Sequence, residues 1–527
     1  MARGGPARAG GRERGARPGP GPRLGLLLGL LLGAAGRAGG RGSGPGVALP
    51  PAGRPEPSAR TLRSAAVDAA VAELVPRLRP GLGVLFENCY PNTLDTTVAH
   101  LGADDGFVIT RDIPAMWLRD STNQLMPYAR FLGGGDPGLR ALFSWVLRRQ
   151  ARSVLMDGYA NAFNYDGGKE PHTQDHQDDE RHPAMQPAVF EGKWEVDSLA
   201  AFLRLGRAVW EAGGAGGEGG EDDFDDVWAS AVSRVMDVFE EQRAGTLEEL
   251  GTEAYTFERR TAVASDTRAM AGRGTMAARS GLIKSAFRPS DDATVLPFLV
   301  PANYMAAVEL LGVAEILSAT GRPELATRAA RLGSSVRAAV ERLAVVPEPE
   351  FPPGAGAGSG GGRVYAYEVD GFGNALFMDD ANAPSLLSLP LLGYVNASDP
   401  VYRATRRRVL SGANPFFFES RDGAFSGVGS PHTGPGRIWP LALIVQALTS
   451  DDKAEIAGCL AQHEAAAAAT GFMHEAFVAD DVADFSRPWF AWANGLFGQL
   501  VLQLASSHPR LAPARRRPQP PPPPPPP

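Results

Sequence analysis

The stretch PANYMAAVELLGVAEILSAT, Pro301–Thr320, predicts a long apolar helix. Proline is favoured in the first turn of a helix, and a glycine such as Gly321 commonly follows the last turn. A second helical pattern begins almost at once, at Pro323. Such a short connection favours two helices lying side by side in opposite directions. We therefore expect an antiparallel helical hairpin in this part of the chain.

The same helical periodicity extends over residues 59–508, and little of the sequence alternates as a strand would. In DSLAAFLRLGRAVW, Asp197 or Ser198 could cap a helix. One face of that helix carries Leu199, Phe202, Leu203, Gly206 and Trp210. Three more helices are expected from Asp399-Pro400 to Gly412, from Ser450 to Gly471, and from about Arg487 to Ser506. The pattern predicts an all-α fold of about twelve helices.

Many paired helices in one chain favour a toroid, either a closed ring of hairpins or an open solenoid. No repeat of fixed period is visible, which makes the solenoid the weaker alternative. A closed ring gathers the ends of its inner helices around one pocket, so polar segments between helices are candidate sites. Five segments fit: RDIPAMWLRDS (111–121), YANAFN (159–164), FEGKWEVDS (190–198), FRPSDDA (287–293) and GFMHEAF (471–477).

These segments combine carboxylates, arginines and tryptophans in otherwise apolar surroundings. Charged groups are rarely buried without a partner or a task. Carboxylates and arginines beside aromatic faces suit the binding of a polyhydroxylated ring. The sequence therefore indicates a carbohydrate-processing enzyme.

Composition excludes other classes of protein. The formal net charge is −7 and no basic stripe lies in the middle of the chain, which argues against a nucleic-acid partner. The two cysteines, Cys89 and Cys459, allow one disulfide at most. A further cluster invites a metal interpretation: His172, Asp175, His176, Asp178, Asp179 and His182. Because it lies in a polar loop without a firm scaffold, we expect a solvated loop, no metal and no cofactor.

The two ends of the chain differ from its middle. Residues 1–36 have the basic start, short apolar run and small-residue exit of a signal peptide or signal anchor. Residues 37–58 are expected to form a flexible stem, 59–508 the catalytic domain, and 509–527 a disordered Pro-rich tail. Entry into the secretory pathway is expected, with an organellar transit peptide as the alternative. The sequon Asn396-Ala397-Ser398 is compatible with that route.

Seven segments in order resemble glycoside hydrolase family 125: DIPAMWLRDS, YANAFN, KWEVDSL, FRPSDDA, YEVDGFGNALFMDDANAPSLLSLP, GFMHEAF and RPWFAWANGLF. They run from about Arg111 to Leu500, which is most of the predicted domain. The resemblance implies an (α/α)6 barrel. It also implies an exo-acting α-1,6-mannosidase that inverts configuration and needs no metal.

The resemblance also implies site residues. Asp197 would be the general acid and Glu475 the general base. An inverting glycosidase holds such a pair ~6.5–9.5 Å apart, with room for a water. We therefore expect both carboxyl groups to face one pocket. The sugar would be gripped by Arg119, Asp120, Asp291, Asp292 and His474, would stack on Trp117 and Trp492, and would be contacted by Asn161 and Asn164.

Each of these residues also has a structural interpretation. Asp197 could be a helix cap, Arg119 and Asp120 a structural ion pair, Asp291 and Asp292 caps, and Trp492 a core residue. Other functions stay open as well. They are a glucosidase, trehalase-like hydrolase or phosphorylase on the same fold, and an inactive glycan-binding protein. The expected partner is a mannose-containing glycan, and the expected state is a monomer.

Overall fold

A computed structural model of the chain describes residues 50–110, 112–165, 179–213, 223–350 and 362–507. The predicted signal segment, most of the predicted stem and the Pro-rich tail lie outside these ranges. Arg111 and residues 172–178 of the His/Asp-rich loop also lie outside the described residues.

Helices dominate the described residues. The thirteen α-helices are α1 (Ala65–Leu74), α2 (Pro80–Cys89), α3 (Asn92–Thr96), α4 (Leu118–Leu125), α5 (Pro137–Met156), α6 (Val196–Gly213), α7 (Asp226–Glu241), α8 (Val300–Ala319), α9 (Pro323–Leu343), α10 (Pro400–Val409), α11 (Pro440–Leu448), α12 (Lys453–Ala466) and α13 (Ala491–Ser507). Short 3-10 helices cover Pro57–Ala59, Val75–Arg77, Met126–Gly134, Ala264–Asp266 and Pro431–Thr433. The all-α prediction is confirmed.

Short strands, all paired antiparallel, fill the connections. They are β1 (Val98–Gly102), β2 (Asp105–Val108), β3 (Ala115–Trp117), β4 (Ala162–Asn164), β5 (Glu180–His182), β6 (Val189–Glu191), β7 (Thr256–Glu258), β8 (Phe298–Leu299), β9 (Val345–Pro347), β10 (Arg363–Tyr365), β11 (Glu368–Val369), β12 (Ala375–Leu376), β13 (Phe417–Glu419), β14 (Ser426–Val428), β15 (Arg437–Ile438), β16 (Phe477–Val478) and β17 (Asp481–Phe485). Two sheets matter for the site, β3-β4-β6 and β15-β16-β17.

The inner helices form a closed ring, the (α/α)6 barrel that the resemblance implied. Helix α4 packs against α6, α6 against α8, α11 against α13, and α13 against α4. Between α8 and α11 the chain supplies a mostly buried, turn-rich segment, residues 381–394, in which Tyr394 stacks on Tyr304 of α8. The inner helix α8 buries 14 of its 20 residues, whereas its hairpin partner α9 buries 7 of 21. Paired inner and outer layers therefore surround the centre.

Helix α8 is the one helix among the described residues that is long and apolar enough to cross a membrane. Of its most apolar window, 72% is buried inside the fold. That burial is what an inner helix of the barrel requires.

Several helix ends differ from those predicted. Helix α6 begins at Val196, so Asp197 and Ser198 lie in its first turn and do not cap it. Asp452, not Ser450, caps α12, because its carboxylate accepts from the backbone N–H of Ala454 at 2.8 Å. That helix ends at Ala466 rather than at Gly471. Helix α13 begins at Ala491 rather than at Arg487.

Residues 50–58, predicted as part of a flexible stem, pack against the barrel. Arg54 lies 2.8 Å from buried Asp95 and 2.6 Å from Asp68. The backbone N–H of Gly53 donates to Asn88 at 2.9 Å. The folded domain therefore includes these nine residues, in contrast to the predicted start at residue 59. Cys89 and Cys459 are buried free thiols, so the one possible disulfide is not formed.

Candidate active site

A pocket lies among the loops that join the inner elements. We call it the central pocket. Six residues predicted from the sequence line it: Trp117, Arg119, Asp120, Asp291, Glu475 and Trp492. They come from four separate segments of the chain, so closure of the barrel brings them together.

The sheet β3-β4-β6 positions the first of these residues. Trp117, the last residue of β3, pairs with Ala162 of β4, which in turn pairs with Glu191 of β6. Helix α4 begins at the next residue, Leu118, whose N–H donates to Asn161 at 3.0 Å. The abrupt change from strand to helix directs both Trp117 and Asp120 toward the pocket. Arg119 lies between them.

Arg119 is surrounded by four carboxylates. Its guanidinium lies 2.6 Å from Glu195, 3.2 Å from Asp291, and 3.3 Å from both Asp120 and Asp197. Burial opposes the charge of Arg119, but these carboxylates outweigh it and raise its pKa. Burial likewise raises the pKa of Glu195 and of Asp197, although Arg119 opposes both shifts. One cation therefore holds four acids, and burial raises the pKa of three of them, Glu195, Asp197 and Asp120.

Asp120 contributes a carboxylate that is buried yet lines the central pocket. Burial raises its pKa to about 6, despite the opposing charge of Arg119. One of its oxygens, Oδ2, has no hydrogen-bond partner among the described residues. A buried oxygen of this kind is costly unless a ligand satisfies it. The geometry fits an acceptor for a sugar hydroxyl.

The hairpin β16-β17 builds the surroundings of Glu475. It reverses the chain just after Glu475, so that Ser486 and Arg487 return beside it. Ser486 Oγ donates to Glu475 Oε2 at 2.8 Å, and Arg487 Nε lies 3.5 Å from Oε1. A hydroxyl donor and a guanidinium group therefore each contact one oxygen of Glu475.

Asp291 stands on a strained loop. Its backbone φ is +68°, a left-handed conformation that L-residues adopt at a cost. Its side chain is 26% exposed, in contrast to the fully buried carboxylates behind Arg119. Its carbonyl oxygen accepts from Lys193 Nζ at 2.8 Å. The backbone therefore holds an accessible carboxylate at the pocket.

Five predicted site residues do not line the central pocket: Asp197, Asn161, Asn164, Asp292 and His474. Asp197 is fully buried on the far side of Arg119. Asp292 is buried and accepts from Ser290 at 3.0 Å. His474 Nδ1 lies 2.8 Å from the carbonyl oxygen of Arg487, and its ring stacks on Phe485. Burial lowers the pKa of His474.

The two asparagines stand near the sheet that supports Trp117. The side-chain amide of Asn161 donates to Glu191 at 2.9 Å and to Glu195 at 3.4 Å. Its carbonyl oxygen accepts from the N–H of Lys193. Asn164 is also buried, and its amide contacts the carbonyl of Val189 at 3.5 Å. Asn161 therefore supports the site from behind and does not face a sugar.

Sequence reasoning missed several residues of the pocket wall, namely Ser290, Asn382, His432, Trp439, Arg487 and Phe490. Four of them stand inside segments that carried the resemblance but received no role there. His432 and Trp439 lie in the connection that precedes α11, where the sequence has no motif. Trp439 Nε1 donates to Thr433 at 2.8 Å, so its ring is fixed.

The His/Asp-rich loop was a second candidate site. In its described part, Asp179 forms two hydrogen bonds of 2.7 Å to Arg259. His182 Nε2 lies 3.9 Å from Glu253. Within the described ranges, no group of three or more His, Cys, Asp or Glu side chains is arranged to hold a metal ion.

Comparisons with known proteins agree with this architecture. The sequence profile of metal-independent α-mannosidases (GH125) matches residues 79–502. The Meiotically up-regulated gene 157 protein of Schizosaccharomyces pombe is 42% identical over 474 residues, covering 88% of this chain and 90% of that protein. The metal-independent α-mannosidase of Streptococcus pneumoniae, solved in a non-productive complex with α-1,6-mannobiose, is 37% identical with a TM-score of 0.74. The match covers 84% of this chain and 97% of that one. The chain therefore belongs to glycoside hydrolase family 125, the metal-independent α-mannosidases.

Proposed function

We propose that this α-mannosidase removes terminal α-1,6-linked mannose from glycans and inverts the configuration at the anomeric carbon. The observation that carries the proposal is the central pocket, where Glu475 and Asp291 stand among aromatic side chains. The α-1,6-mannobiose bound to the S. pneumoniae relative supports the linkage.

Glu475 is suited to be the general base. An inverting reaction needs an ionised carboxylate that takes a proton from the attacking water. Ser486 and Arg487 hold the carboxylate in the pocket through contacts of 2.8 Å and 3.5 Å with its two oxygens. The water would add to the face of the sugar opposite the departing glycan.

For the general acid we propose Asp291 in place of Asp197. The acid must touch the glycosidic oxygen, which lies toward the mouth of an exo-acting pocket. The Asp291 side chain is 26% exposed and lines the pocket, whereas that of Asp197 is 0% exposed. Proton transfer from Asp197 would have to pass through Arg119, whose guanidinium group does not release a proton at neutral pH.

Asp120 and the aromatic side chains are suited to hold the sugar. Oδ2 of Asp120 lies 3.3 Å from Arg119 Nε but accepts no hydrogen bond from the described residues, so it offers an acceptor to a hydroxyl group. Trp117, Trp439 and Trp492 line the same pocket and offer apolar faces to the ring. Their indole planes and the carboxylates together match a ring that is polar at its edge and apolar on its faces.

The test is an NMR time course on α-1,6-mannobiose with EDTA present, using the full chain and its D291N and E475Q variants. Early β-mannose from the wild type, and losses of about 10²–10⁴-fold in both variants, are the expected result. Early α-mannose would overturn inversion. Maltose and trehalose serve as control substrates, because their cleavage would favour a glucosidase or a trehalase-like hydrolase. Binding of mannobiose without turnover would favour the glycan-binding alternative.

We also propose that the chain enters the secretory pathway and that the folded protein is a monomer. The composition of residues 1–36 supports entry, and Asn396 of the sequon is exposed in a turn, where a glycan could be attached. Protein recovered from secretory cells should lose mass on treatment with an endoglycosidase, and Asn396→Gln should abolish that loss. An unmodified protein in an organellar fraction would favour the transit peptide. Size-exclusion chromatography with light scattering checks the monomer.

A further inference from the structure

Lys193 is a buried base that contacts the backbone of the proposed acid, whereas Arg119 contacts its carboxylate. Its ammonium group is 2% exposed and donates to the Asp291 carbonyl at 2.8 Å and to Asp266 Oδ1 at 2.7 Å. Glu191 Oε1 lies 3.5 Å away. An ammonium group has three donors, and these three oxygens can use all of them.

Lys193 belongs to a closed ring of four charges, which we call the charge ring: Lys193, Glu191, Arg259 and Asp266. Arg259 lies 3.0 Å from Glu191 and 3.0 Å from Asp266, so each acid contacts both bases. Asp179 holds Arg259 from outside the ring. Rings of alternating charge keep their members in fixed positions, because moving one residue breaks two contacts.

One member of the charge ring, Lys193, also donates a hydrogen bond to the backbone of the loop that carries Asp291. The left-handed conformation of Asp291 costs free energy, so something outside the loop must maintain it. The adjacent backbone gives one such contact, since the N–H of Ala293 donates to the carbonyl of Ser265 at 2.7 Å. Arg119 gives a second, to the Asp291 carboxylate at 3.2 Å, and Lys193 gives a third, to the backbone of Asp291 itself. The contacts to the backbone of the loop therefore come from Ser265, which is next to Asp266, and from Lys193, which is the ion-pair partner of Asp266.

The choice of lysine at this position is informative. Only four of the 52 lysine and arginine residues in the chain are lysines. Arginine is planar, whereas an ammonium group is compact and can direct its donors to three converging oxygens. In a chain that otherwise uses arginine almost throughout, a fully buried lysine indicates a geometric requirement.

We infer that Lys193, held by the charge ring, is a positioning residue that keeps the carboxylate of Asp291 aimed at the glycosidic oxygen. The inference rests on the proposed function, because it takes Asp291 as the general acid. Lys193 does not line the central pocket, and the pocket residue that it contacts directly is Asp291. It would therefore matter for protonation of the leaving group and little for binding of the sugar.

Two substrates separate positioning from a merely structural role. α-1,6-Mannobiose has a poor leaving group that needs the acid, whereas 2,4-dinitrophenyl α-mannoside has a leaving group that departs without a proton. The test compares K193M, D266N and D291N in the full chain on both substrates. K284M is the matched control. Lys284 is also buried, is paired with an acid and does not line the pocket, but its partner is Glu249 and not a residue of the charge ring. Melting temperature and binding of free mannose are measured for every variant.

We expect K193M to lower kcat on mannobiose by about 10–100-fold, the scale of a misplaced catalytic group, and to change kcat on the aryl mannoside less than about threefold. D266N should show a smaller loss with the same selectivity, and it keeps the test decisive if K193M does not fold. K284M should lower the melting temperature without that selectivity.

Equal losses on the two substrates would overturn the inference, because they would show a general effect on folding. Unchanged activity of a folded K193M would overturn it as well. A wild-type protein inactive on both substrates would instead refute the proposed function, and the inference with it. A selective loss in D291N without one in K193M would refute the positioning role alone.

Discussion

Arg119 determines how the acids at the centre of the barrel are divided. Glu195 and Asp197 lie behind its guanidinium and are fully buried. Asp120 and Asp291 lie on the side that lines the central pocket. Burial raises the pKa of both rear acids and of Asp120 at the front, although Arg119 opposes each shift. The rear pair holds Arg119 in place and does not line the pocket, whereas the front pair is available to a sugar.

The first prediction concerns Asp197. Because its carboxyl group lies behind Arg119 and does not line the central pocket, an amide of the same shape can replace it without removing a group that touches the sugar. D197N should keep turnover of α-1,6-mannobiose within about tenfold of the wild type, whereas D291N should lose about 10²–10⁴-fold. Steady-state kinetics at one pH checks both. A loss in D197N as large as that in D291N would return the acid role to Asp197.

The sequence could identify which segments form the site but not which side chains face the pocket. Asp197 and Asp291 are both acids in polar segments that carry the family resemblance, KWEVDSL and FRPSDDA. What separates them is the position of Arg119, a residue more than 70 positions away from either, and the left-handed backbone of Asp291. Neither can be inferred from a single sequence.

A second prediction concerns Glu309, which is fully buried on α8. Burial raises its pKa to about 7, although Arg207 Nε lies 3.3 Å away and opposes the shift. In the unfolded chain a glutamate has a pKa of about 4.3. The folded protein thus binds this proton more tightly, so its stability falls as the pH rises from about 4.3 through about 7.

Glu309→Gln removes this dependence. The variant should match the wild type near pH 4–5 and should exceed it at pH 8 by on the order of 3–4 kcal/mol in the free energy of unfolding. Urea unfolding at the two pH values measures the difference. E73Q is the control, because the side chain of Glu73 is 75% exposed. A difference between E309Q and wild type that does not change with pH would contradict the burial argument.

At the scale of single elements, Gly498 permits the close approach of α13 to the end of α2. A Cβ at this position would overlap the ring of Tyr90, which also stacks on Phe86 of α2. Gly458 on α12 is the opposite case, since a Cβ there would meet nothing within 4 Å. The two glycines therefore offer the same substitution in a crowded and in an open environment.

Gly498→Ala should destabilise the protein by about 1–3 kcal/mol through overpacking, because Tyr90 is held on both sides by buried rings. Gly458→Ala should stabilise it by up to about 1 kcal/mol, because alanine is the better helix former. Thermal unfolding of both variants gives the sign of each change. If G498A proved as stable as the wild type, α13 and α2 would have to separate at little cost.

Elements with strong local signals were predictable. The hairpin α8-α9 begins at prolines and turns at Gly321, and the structure follows that pattern. The start of α12 was misplaced because Ser450 and Asp452 can both cap a helix, and the structure uses Asp452. The strands were missed because each has only two to five residues, which is too short for alternation to be visible.

At the scale of the whole molecule, closing the barrel joins segments that are far apart in the sequence. Asn88 uses its full hydrogen-bonding capacity for this purpose. Its carbonyl oxygen accepts from the N–H groups of Gly53 and Arg54, and its amide donates to the carbonyls of Pro51 and Gly471. The toroid could be predicted from many paired helices. These contacts could not, because they exist only once the ring is closed.

Asn88 thereby ties residues 50–54 to Gly471, the start of the loop that carries Glu475. Its side chain is 2% exposed and makes four hydrogen bonds of 2.9–3.2 Å. Asn88→Ala leaves two carbonyls and two N–H groups without this partner, so we expect a loss of about 2–4 kcal/mol in the free energy of unfolding. N374A is the matched control, because the side chain of Asn374 is exposed and donates to Asp370, four residues away.

Hydrogen exchange shows whether the effect reaches both segments. In N88A, amides in residues 50–58 and 471–475 should exchange faster together, since one side chain holds both. Turnover should fall as well, because the loop before Glu475 loses its attachment to α2. Faster exchange in residues 50–58 alone would show that Gly471 is held by its own turn. In that case the amino-terminal arm would contribute to stability without reaching the catalytic base.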